Sequence, residues 1–206
     1  MTVQFSALTK DNIDANPIRQ FRTWFDEVRA GGVSEQDATS MTLATAAQDG
    51  RPSARVVLLK SFDERGFVFY TNYHSRKAKE LSENPRACLL FYWSELWRQV
   101  RIEGDVEKVS PADSEEYFQS RPLGSRLGAW ASNQSEVVDT RQVLESRFAE
   151  LQERFGEEVP RPEHWGGYRL RPNSIEFWQG RDNRLHDRLR YRIQENGAWV
   201  IERLEP

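Results

Sequence analysis

The sequence predicts an α+β chain, mainly β, in which an antiparallel sheet carries peripheral helices and has enough strands to close into a barrel. Three observations lead there. Five strand-like segments between Ser40 and Val109 follow one another through short connections, which argues for antiparallel pairing. A helical block then runs from Ser110 to Phe155, and strands return from Gly167 onward. The chain has 206 residues, a length that suits one domain with a real core.

Taken in order, Met1–Ala15 is polar and unpatterned and reads as an N-terminal arm, ordered only if something holds it; residues 16–206 form a single domain. Asn16-Pro17 supplies an N-cap and a proline at the first helical position. Ile18, Phe21, Trp24, Phe25 and Val28 then share one helical face, and Gly31-Gly32 stops the helix. From Ser40 the period changes. Ser40–Ala46 reads as a strand, Asp49-Gly50 as a hairpin turn and Arg55–Lys60 as a β-branched strand with charged ends. Phe67–Asn72 is a third strand beyond the Asp63–Gly66 turn. Ser75–Asn84 is helical and Pro85 ends it; Ala87–Trp93 and Gln99–Val109 are two more strands. In the helical block, one helix opens at Ser110-Pro111 and runs to about Ser120, and a short one covers Ser125–Trp130. Asp139–Phe155, with Val143, Leu144, Phe148, Leu151 and Phe155 at helical spacing, is a surface or interface helix. Strands are expected again at Gly167–Arg171, Ile175–Gln179, Arg188–Gln194 and Trp199–Leu204, with Asn196-Gly197 as a hairpin turn. The arm and the Gly156–His164 loop are the expected soft spots.

Composition narrows the function. The formal net charge is -3, which disfavours a nucleic-acid partner. Cys88 is the single cysteine; it cannot form an intramolecular disulfide or build a zinc site alone, which fits a reducing compartment. No signal pattern opens the chain, and no apolar run approaches the ~18–20 residues that cross a bilayer. The expectation is a soluble, cytoplasmic protein with no membrane partner. Seven Trp is a high count: aromatics build core, and they also make interfaces and flat walls for ring-shaped ligands.

The familiar catalytic signatures are absent: no Gly-rich phosphate loop, no dinucleotide fingerprint, no GxSxG. His74, His164 and His186 are too dispersed for a local metal motif, so no metal is expected. Three cationic groups remain. Arg55 and Lys60 bracket a strand, and alternation puts them on opposite faces unless the strand bulges or ends between them. Arg76 and Lys77 occupy the first turn of a helix, where cations oppose the dipole. They make sense if an anion binds at that N-terminus, near Tyr70, Thr71, Asn72 and Ser75. Taken alone, the pair fits a solvated first turn slightly better. In the second group, Tyr117, Arg121 and Ser125, with Arg126 beside them, can converge on a phosphate. A helix-terminal Arg stabilised by the dipole explains them equally well. The third is the Phe177-Trp178-Gln179-Gly180 strand end followed by Arg184-Leu185-His186-Asp187-Arg188, where His186 is the best acid–base candidate. The alternative is a surface loop pairing Arg184 and Arg188 with Asp182 and Asp187. Cys88 reads as core; the Trp130 and Trp165-Gly166-Gly167 region could be ligand wall, with packing the safer reading.

These residues carry a resemblance. RVVLLK (Arg55–Lys60), FYTN (Phe69–Asn72), SRKAKEL (Ser75–Leu81), RQV (Arg98–Val100), YFQSRP (Tyr117–Pro122), GAW…QS (Gly128–Ser135), HWGGYR (His164–Arg169) and IEFWQG…RLHDR (Ile175–Arg188) occur in order. From about Asn16 to Pro206 the chain resembles the pyridoxine/pyridoxamine 5'-phosphate oxidase family. The resemblance implies an FMN-binding split β-barrel flavoprotein, a homodimer with FMN at the subunit interface. It implies an oxidoreductase that converts pyridoxamine or pyridoxine 5'-phosphate to pyridoxal 5'-phosphate, a step of vitamin B6 metabolism, and reduces O2 to H2O2. By motif, Arg55, Val56, Lys60, Tyr70, Thr71, Arg76, Lys77, Gln99, Gln134, Ser135, Trp178 and Arg188 would contact FMN. Lys60, Tyr117, Arg121 and Ser125 would hold the substrate phosphate; Arg184, Leu185 and His186 would lie against the pyridine ring, Arg184 and His186 as catalytic residues. Some of these would come from the partner chain. The family's basic arm has no counterpart in FSALTKDN, where Lys10 is the lone cation. Competing readings are a related flavin oxidase acting on another substrate such as a phenazine precursor, a non-catalytic FMN or pyridoxal phosphate binder, and a plain structural dimer. Tyr117, Arg121 and Ser125 speak against the first, and the RLHDR loop speaks for catalysis over storage.

Overall fold

The computed structural model describes residues 7–206; residues 1–6 of the expected arm, Phe5 and Ser6 of FSALTKDN among them, lie outside the described part. Helix α1 (Pro17–Ala30) is capped as its sequence demands: Asn16 Oδ1 accepts the N–H groups of Ile18 at 2.8 Å and Arg19 at 3.1 Å. Its apolar face is buried, and Phe21 meets the rings of Phe62 and Phe67 at 4.9 Å and Phe91 at 5.2 Å. The helix thus seals one side of the sheet's core.

The first strands are β1 (Ser40–Ala46), β2 (Pro52–Leu58), β3 (Ser61–Asp63) and β4 (Gly66–Asn72); helix α3 (Arg76–Glu83) leads to β5 (Arg86–Trp93) and β6 (Arg98–Lys108). Two short elements escape the sequence pattern, helix α2 (Glu35–Thr39) and strand β3. Both are shorter than the windows that reveal a period, and α2 is set by its Ser34 cap, whose Oγ accepts the Asp37 N–H. Helices α4 (Pro111–Gln119), α5 (Leu123–Ala131) and α6 (Arg141–Phe155) precede β7 (Trp165–Gln179), β8 (Asp187–Ile193) and β9 (Trp199–Arg203). All pairings are antiparallel, in the order β2-β1-β5-β6-β7-β4-β3, with β8 and β9 added beside β7. The Lys60 N–H bonds the Val68 carbonyl at 2.9 Å and the Leu59 N–H bonds that of Thr39 at 2.9 Å, drawing the sheet's two ends together into a split barrel.

Strand β7 corrects one expectation. Its two expected strands are a single strand that changes partner part-way: residues 165–170 pair with β4 and residues 174–179 with β8, while β6 runs along the other edge. The break expected at Pro172-Asn173 is a bulge, with the register shifting between Glu103 and Gly104. Gly104 is required there, because a Cβ would stand 2.0 Å from the Arg171 carbonyl oxygen.

A second, smaller core of Phe118, Leu127, Val159 and Trp165 lies beneath the helical block, with Phe148, Leu151 and Phe155 of α6 packed against it. No residue of α6 is fully buried, as a surface helix requires. The expected soft spots are tied down where the structure describes them. In the 156–164 loop Val159 is buried, Trp130 Nε1–H donates to the Pro160 carbonyl at 2.7 Å, and Arg161 Nη1 donates to that of Trp165 at 2.7 Å. The described part of the arm is held by buried Leu8, whose N–H donates to Asp187 at 3.1 Å, and by the Tyr191 hydroxyl, which donates to the Asp14 carbonyl at 2.6 Å. Among the described residues no helix is long and apolar enough to cross a membrane. Phe21→Ala is expected to lower stability by about 3–5 kcal/mol, read from the midpoint of urea unfolding, because no neighbour can fill the emptied ring site.

Candidate active site

A cavity of about 970 Å³ opens between β2, β4, the start of α3, the link from α4 to α5 and the 132–135 loop. It gathers Arg55, Val56, Lys60, Tyr70, Thr71, Arg76, Lys77, Tyr117, Arg121, Ser125, Gln134 and Ser135. Strand parity does not separate Arg55 from Lys60, because β2 ends at Leu58 and the chain leaves the pleat before Lys60.

One wall is built on a buried carboxylate. Glu80 of α3 accepts from the Thr45 hydroxyl at 2.5 Å, the Ser53 hydroxyl at 2.6 Å, Arg55 Nη2 at 3.3 Å and Arg76 Nε at 2.8 Å. Burial raises its pKa, but the hydroxyl and arginine bonds outweigh burial and hold it down at about 2. Beside it Lys77, also buried, donates to Thr71 Oγ1 at 3.1 Å and to Gln134 Oε1 at 3.0 Å. Burial first, and then the neighbouring Arg55 charge, push the Lys77 pKa down to about 8. Arg55, Arg76 and Lys77 therefore face a single carboxylate. The Ser75 side chain makes no cap bond, so the first N–H groups of α3 have no side-chain acceptor. A dianionic phosphate fits this donor set.

A second wall is aromatic. Tyr70 and Tyr117 stack with centroids 4.0 Å apart, and Trp165 lies 5.4 Å from Tyr70 at 11°. Gly167 makes room for this, since a Cβ there would stand 2.8 Å from the Tyr70 ring. Burial pushes the Tyr70 hydroxyl up to about 12, so it stays protonated at neutral pH. Tyr117 comes from the last turn of α4, Arg121 from the link and Ser125 from the first turn of α5. The Arg121 guanidinium lies 4.6 Å over Trp165, and its Nη1 is buried with no hydrogen-bond partner among the described residues. Burial lowers its pKa. A buried, unmatched guanidinium nitrogen facing a cavity fits a second anion.

Gln99, Trp178, Arg184, Leu185, His186 and Arg188 do not line this cavity. They form a cluster of their own. Gln99 pairs with Trp178 across β6 and β7, and Trp178 with Arg188 across β7 and β8, so the three side chains stand in one row on one face. His186 lies 4.6 Å from Trp178, and its Nδ1 accepts the Arg181 N–H at 3.1 Å, which leaves Nε2 to carry the proton of the neutral ring. Asn183 and Arg184 sit at φ 56 and φ 60, backbone angles that side chains rarely adopt. The salt-bridge alternative for this loop is not what forms: Arg188 pairs with Glu176 at 2.8 Å, and Asp187 with Arg181 at 2.7 Å and Arg203 at 2.9 Å.

The profile of the family described as "Pyridoxamine 5'-phosphate oxidase" matches residues 33–155, and that described as "Pyridoxine 5'-phosphate oxidase C-terminal dimerisation region" matches residues 165–206. The chain belongs to the pyridoxamine 5'-phosphate oxidase family. It is 63% identical over 195 residues to pyridoxine/pyridoxamine 5'-phosphate oxidase 1 of Ralstonia nicotianae, covering 95% of this chain and 91% of that one. It is 58% identical over 201 residues to the pyridoxine/pyridoxamine 5'-phosphate oxidase of Trichormus variabilis, covering 97% and 93%. Its fold is similar to that of PhzG from Burkholderia lata 383, solved in complex with tetrahydrophenazine-1-carboxylic acid. That match has a TM-score of 0.90, 34% identity and 98% of each chain covered.

Within this member of the oxidase family, sequence reasoning missed Glu80, Thr45 and Ser53. A signal for Glu80 was present: it stands four residues after Arg76, the spacing at which helical side chains meet. Trp165, read as packing, both packs on Phe118 and lines the cavity. His74 and His164, dispersed in sequence, stack at 5.5 Å, but among the described residues no three His, Cys, Asp or Glu gather as metal ligands. Cys88 is half-buried, its thiol pushed up to about 11 by burial. Because Lys77 loses its charge near pH 8, affinity for a phosphate-bearing probe should fall as pH rises through that value. FMN serves as the probe, since its phosphate is already dianionic above its second pKa of about 6. Flavin fluorescence titrations between pH 7 and 9.5 should show the fall, and Lys77→Met should abolish the pH dependence along with much of the affinity.

Proposed function

We propose that this oxidase binds FMN in the cavity and converts pyridoxamine or pyridoxine 5'-phosphate to pyridoxal 5'-phosphate, with O2 reduced to H2O2. The observation that carries the reading is the presence of two separate cationic sets in one cavity. Arg55, Arg76 and Lys77 lie around Glu80, while Arg121 has an unmatched buried nitrogen beside Tyr117 and Ser125. A phosphate-tailed cofactor and a phosphorylated substrate together satisfy both.

In this reading Arg55, Arg76 and Lys77 hold the tail phosphate. Lys60, Tyr117, Arg121 and Ser125 hold the substrate phosphate, and that grip places the reacting carbon. Val56, Tyr70, Thr71, Gln134 and Ser135 line the remaining cofactor space, the amide of Gln134 offering a polar edge. The Gln99–Trp178–Arg188 row and the Arg184–His186 loop lie on a different surface of the same chain, and residues 165–206 match a dimerisation region. We therefore read the enzyme as a homodimer in which a second copy brings Gln99, Trp178, Arg184, Leu185, His186 and Arg188 to the cavity of the first, with FMN at the interface. Bound FMN supplies the hydride acceptor. With Nδ1 engaged by the Arg181 N–H, His186 presents Nε2 to the substrate, and Arg184 offers a cation from the same loop. No covalent nucleophile is required.

The likeness to PhzG raises a second reading, oxidation of a phenazine precursor. Tyr117, Arg121 and Ser125 weigh against it, because a guanidinium with two hydroxyl donors matches the three oxygens of a phosphate, and a planar carboxylate has only two. Oxygen consumption with pyridoxamine 5'-phosphate, pyridoxine 5'-phosphate and a reduced phenazine carboxylate separates the two. Turnover of the phenazine alone would overturn the proposal, as would a purified protein that is colourless and takes up no added FMN. Arg121→Ala is expected to raise KM for the phosphorylated substrate about tenfold or more with little change in kcat, the size of one lost charged hydrogen bond. Arg184→Ala is expected to lower kcat while the visible flavin spectrum is retained.

A further inference from the structure

The buried carboxylate beneath the cationic wall has a geometry that a merely stabilising ion pair does not need. The hydroxyls of Thr45 and Ser53 each have one proton to give. Both lie within donating distance of Glu80 Oε2, and both accept from Arg55, through Nη1 at 2.6 Å for Thr45 and through Nη2 for Ser53. The other carboxylate oxygen takes Arg76 Nε at 2.8 Å. Glu80 therefore sets the direction of every proton in the ring and orients both arginines, which come from β2 and α3, toward one opening. A carboxamide of the same size cannot do this. With its NH2 toward Arg76, two donors face each other and Arg76 is released. With its NH2 toward the hydroxyls, they must turn round to accept from it, Arg55 Nη2 meets a donor where it had a carboxylate oxygen, and Arg55 keeps only the Leu43 carbonyl and hydroxyls it now shares. Removing the negative charge by itself would have the opposite consequence, since an anion would then meet less repulsion from the wall.

We infer that Glu80 is a positioning residue: it aims Arg55 and Arg76 and so sets the grip on the phosphate of the cofactor tail, without contributing to the grip on the flavin ring. The inference rests on the FMN reading proposed above. It is tested by titrating apo-protein with FMN and with riboflavin, which differ by the phosphate, and following flavin fluorescence. In Glu80→Gln, FMN affinity should fall about tenfold or more, the scale of one misdirected charged hydrogen bond, with riboflavin affinity unchanged. Equal loss for both flavins would overturn the inference, since a loosened fold cannot tell them apart. Unchanged or tighter FMN binding would also overturn it, since the carboxylate would then act only as a charge. Should Glu80→Gln fail to fold, Thr45→Val keeps the charge and removes one oriented hydroxyl; the ratio of FMN to riboflavin affinity should fall in the same direction, and an unchanged ratio would refute the role. If the unmutated protein binds neither flavin, the functional reading fails by itself. Positioning is then read from the rise in Tm with inorganic phosphate, which Glu80→Gln should abolish; a rise of equal size in both proteins would overturn it.

Discussion

Strand β7 must serve two partners on one edge, β4 beside residues 165–170 and β8 beside residues 174–179, and the two functional surfaces follow from that division. Its first half backs the cavity: Trp165 faces Tyr70 and Tyr117, and Gly167 lets Tyr70 lie flat. Its second half carries Trp178 between Gln99 and Arg188. The bulge opposite Gly104 is what lets one strand do both, because an extra residue bends the strand and increases its twist. The sheet can therefore close through β4 on one stretch of that edge and add β8 and β9 on the other.

Burial in the cavity wall opposes the charge of its cations. A buried charge without a matching partner is strongly unfavourable, and Lys77 and Arg121 are both shifted toward their neutral forms by burial. Glu80 offsets part of this for Arg55 and Arg76 and leaves the remainder for a ligand to neutralise. An anion bound there, as proposed, would offset that burial cost, and a ligand that binds only the folded state stabilises it by mass action. The arrangement also separates affinity from chemistry. The proposed phosphate grips sit on β2, α3 and the α4–α5 link, whereas the acid–base candidate His186 sits in the loop between β7 and β8.

Much of the architecture was legible in the residues. The Asn16-Pro17 start of α1, the Asp49-Gly50 hairpin and the alternation in β1 are local signals, and each element formed where its signal lay. Short elements such as α2 and β3 were not legible, since a helix of one turn or a strand of three residues shows no period. The sequence pattern divided β7 into Gly167–Arg171 and Ile175–Gln179, but a bulge in the β6–β7 ladder carries the strand through Pro172, which has no N–H to donate. Arg76 and Lys77 looked alike as first-turn cations, yet Arg76 is exposed and Lys77 buried, a difference that depends on the 132–135 loop lying over Lys77.

The sequence by itself determined the longer elements apart from the continuity of β7, the absence of the common catalytic signatures, and the ordered motifs that mark the oxidase family. It also supplied every chemical group that the cavity uses. Tertiary structure alone decided which of those groups meet. Glu80 reaches Arg55 across 25 positions, Lys77 meets Gln134 across 57, and Gln99 joins Trp178 through strand register. It also decided that Arg188 stands beside Trp178 and pairs with Glu176, away from the cavity of its own chain. The physical reason is range. Spacing along a chain reports interactions within about one helical turn or one strand pleat, whereas convergence at a site is set by long-range pairing and packing.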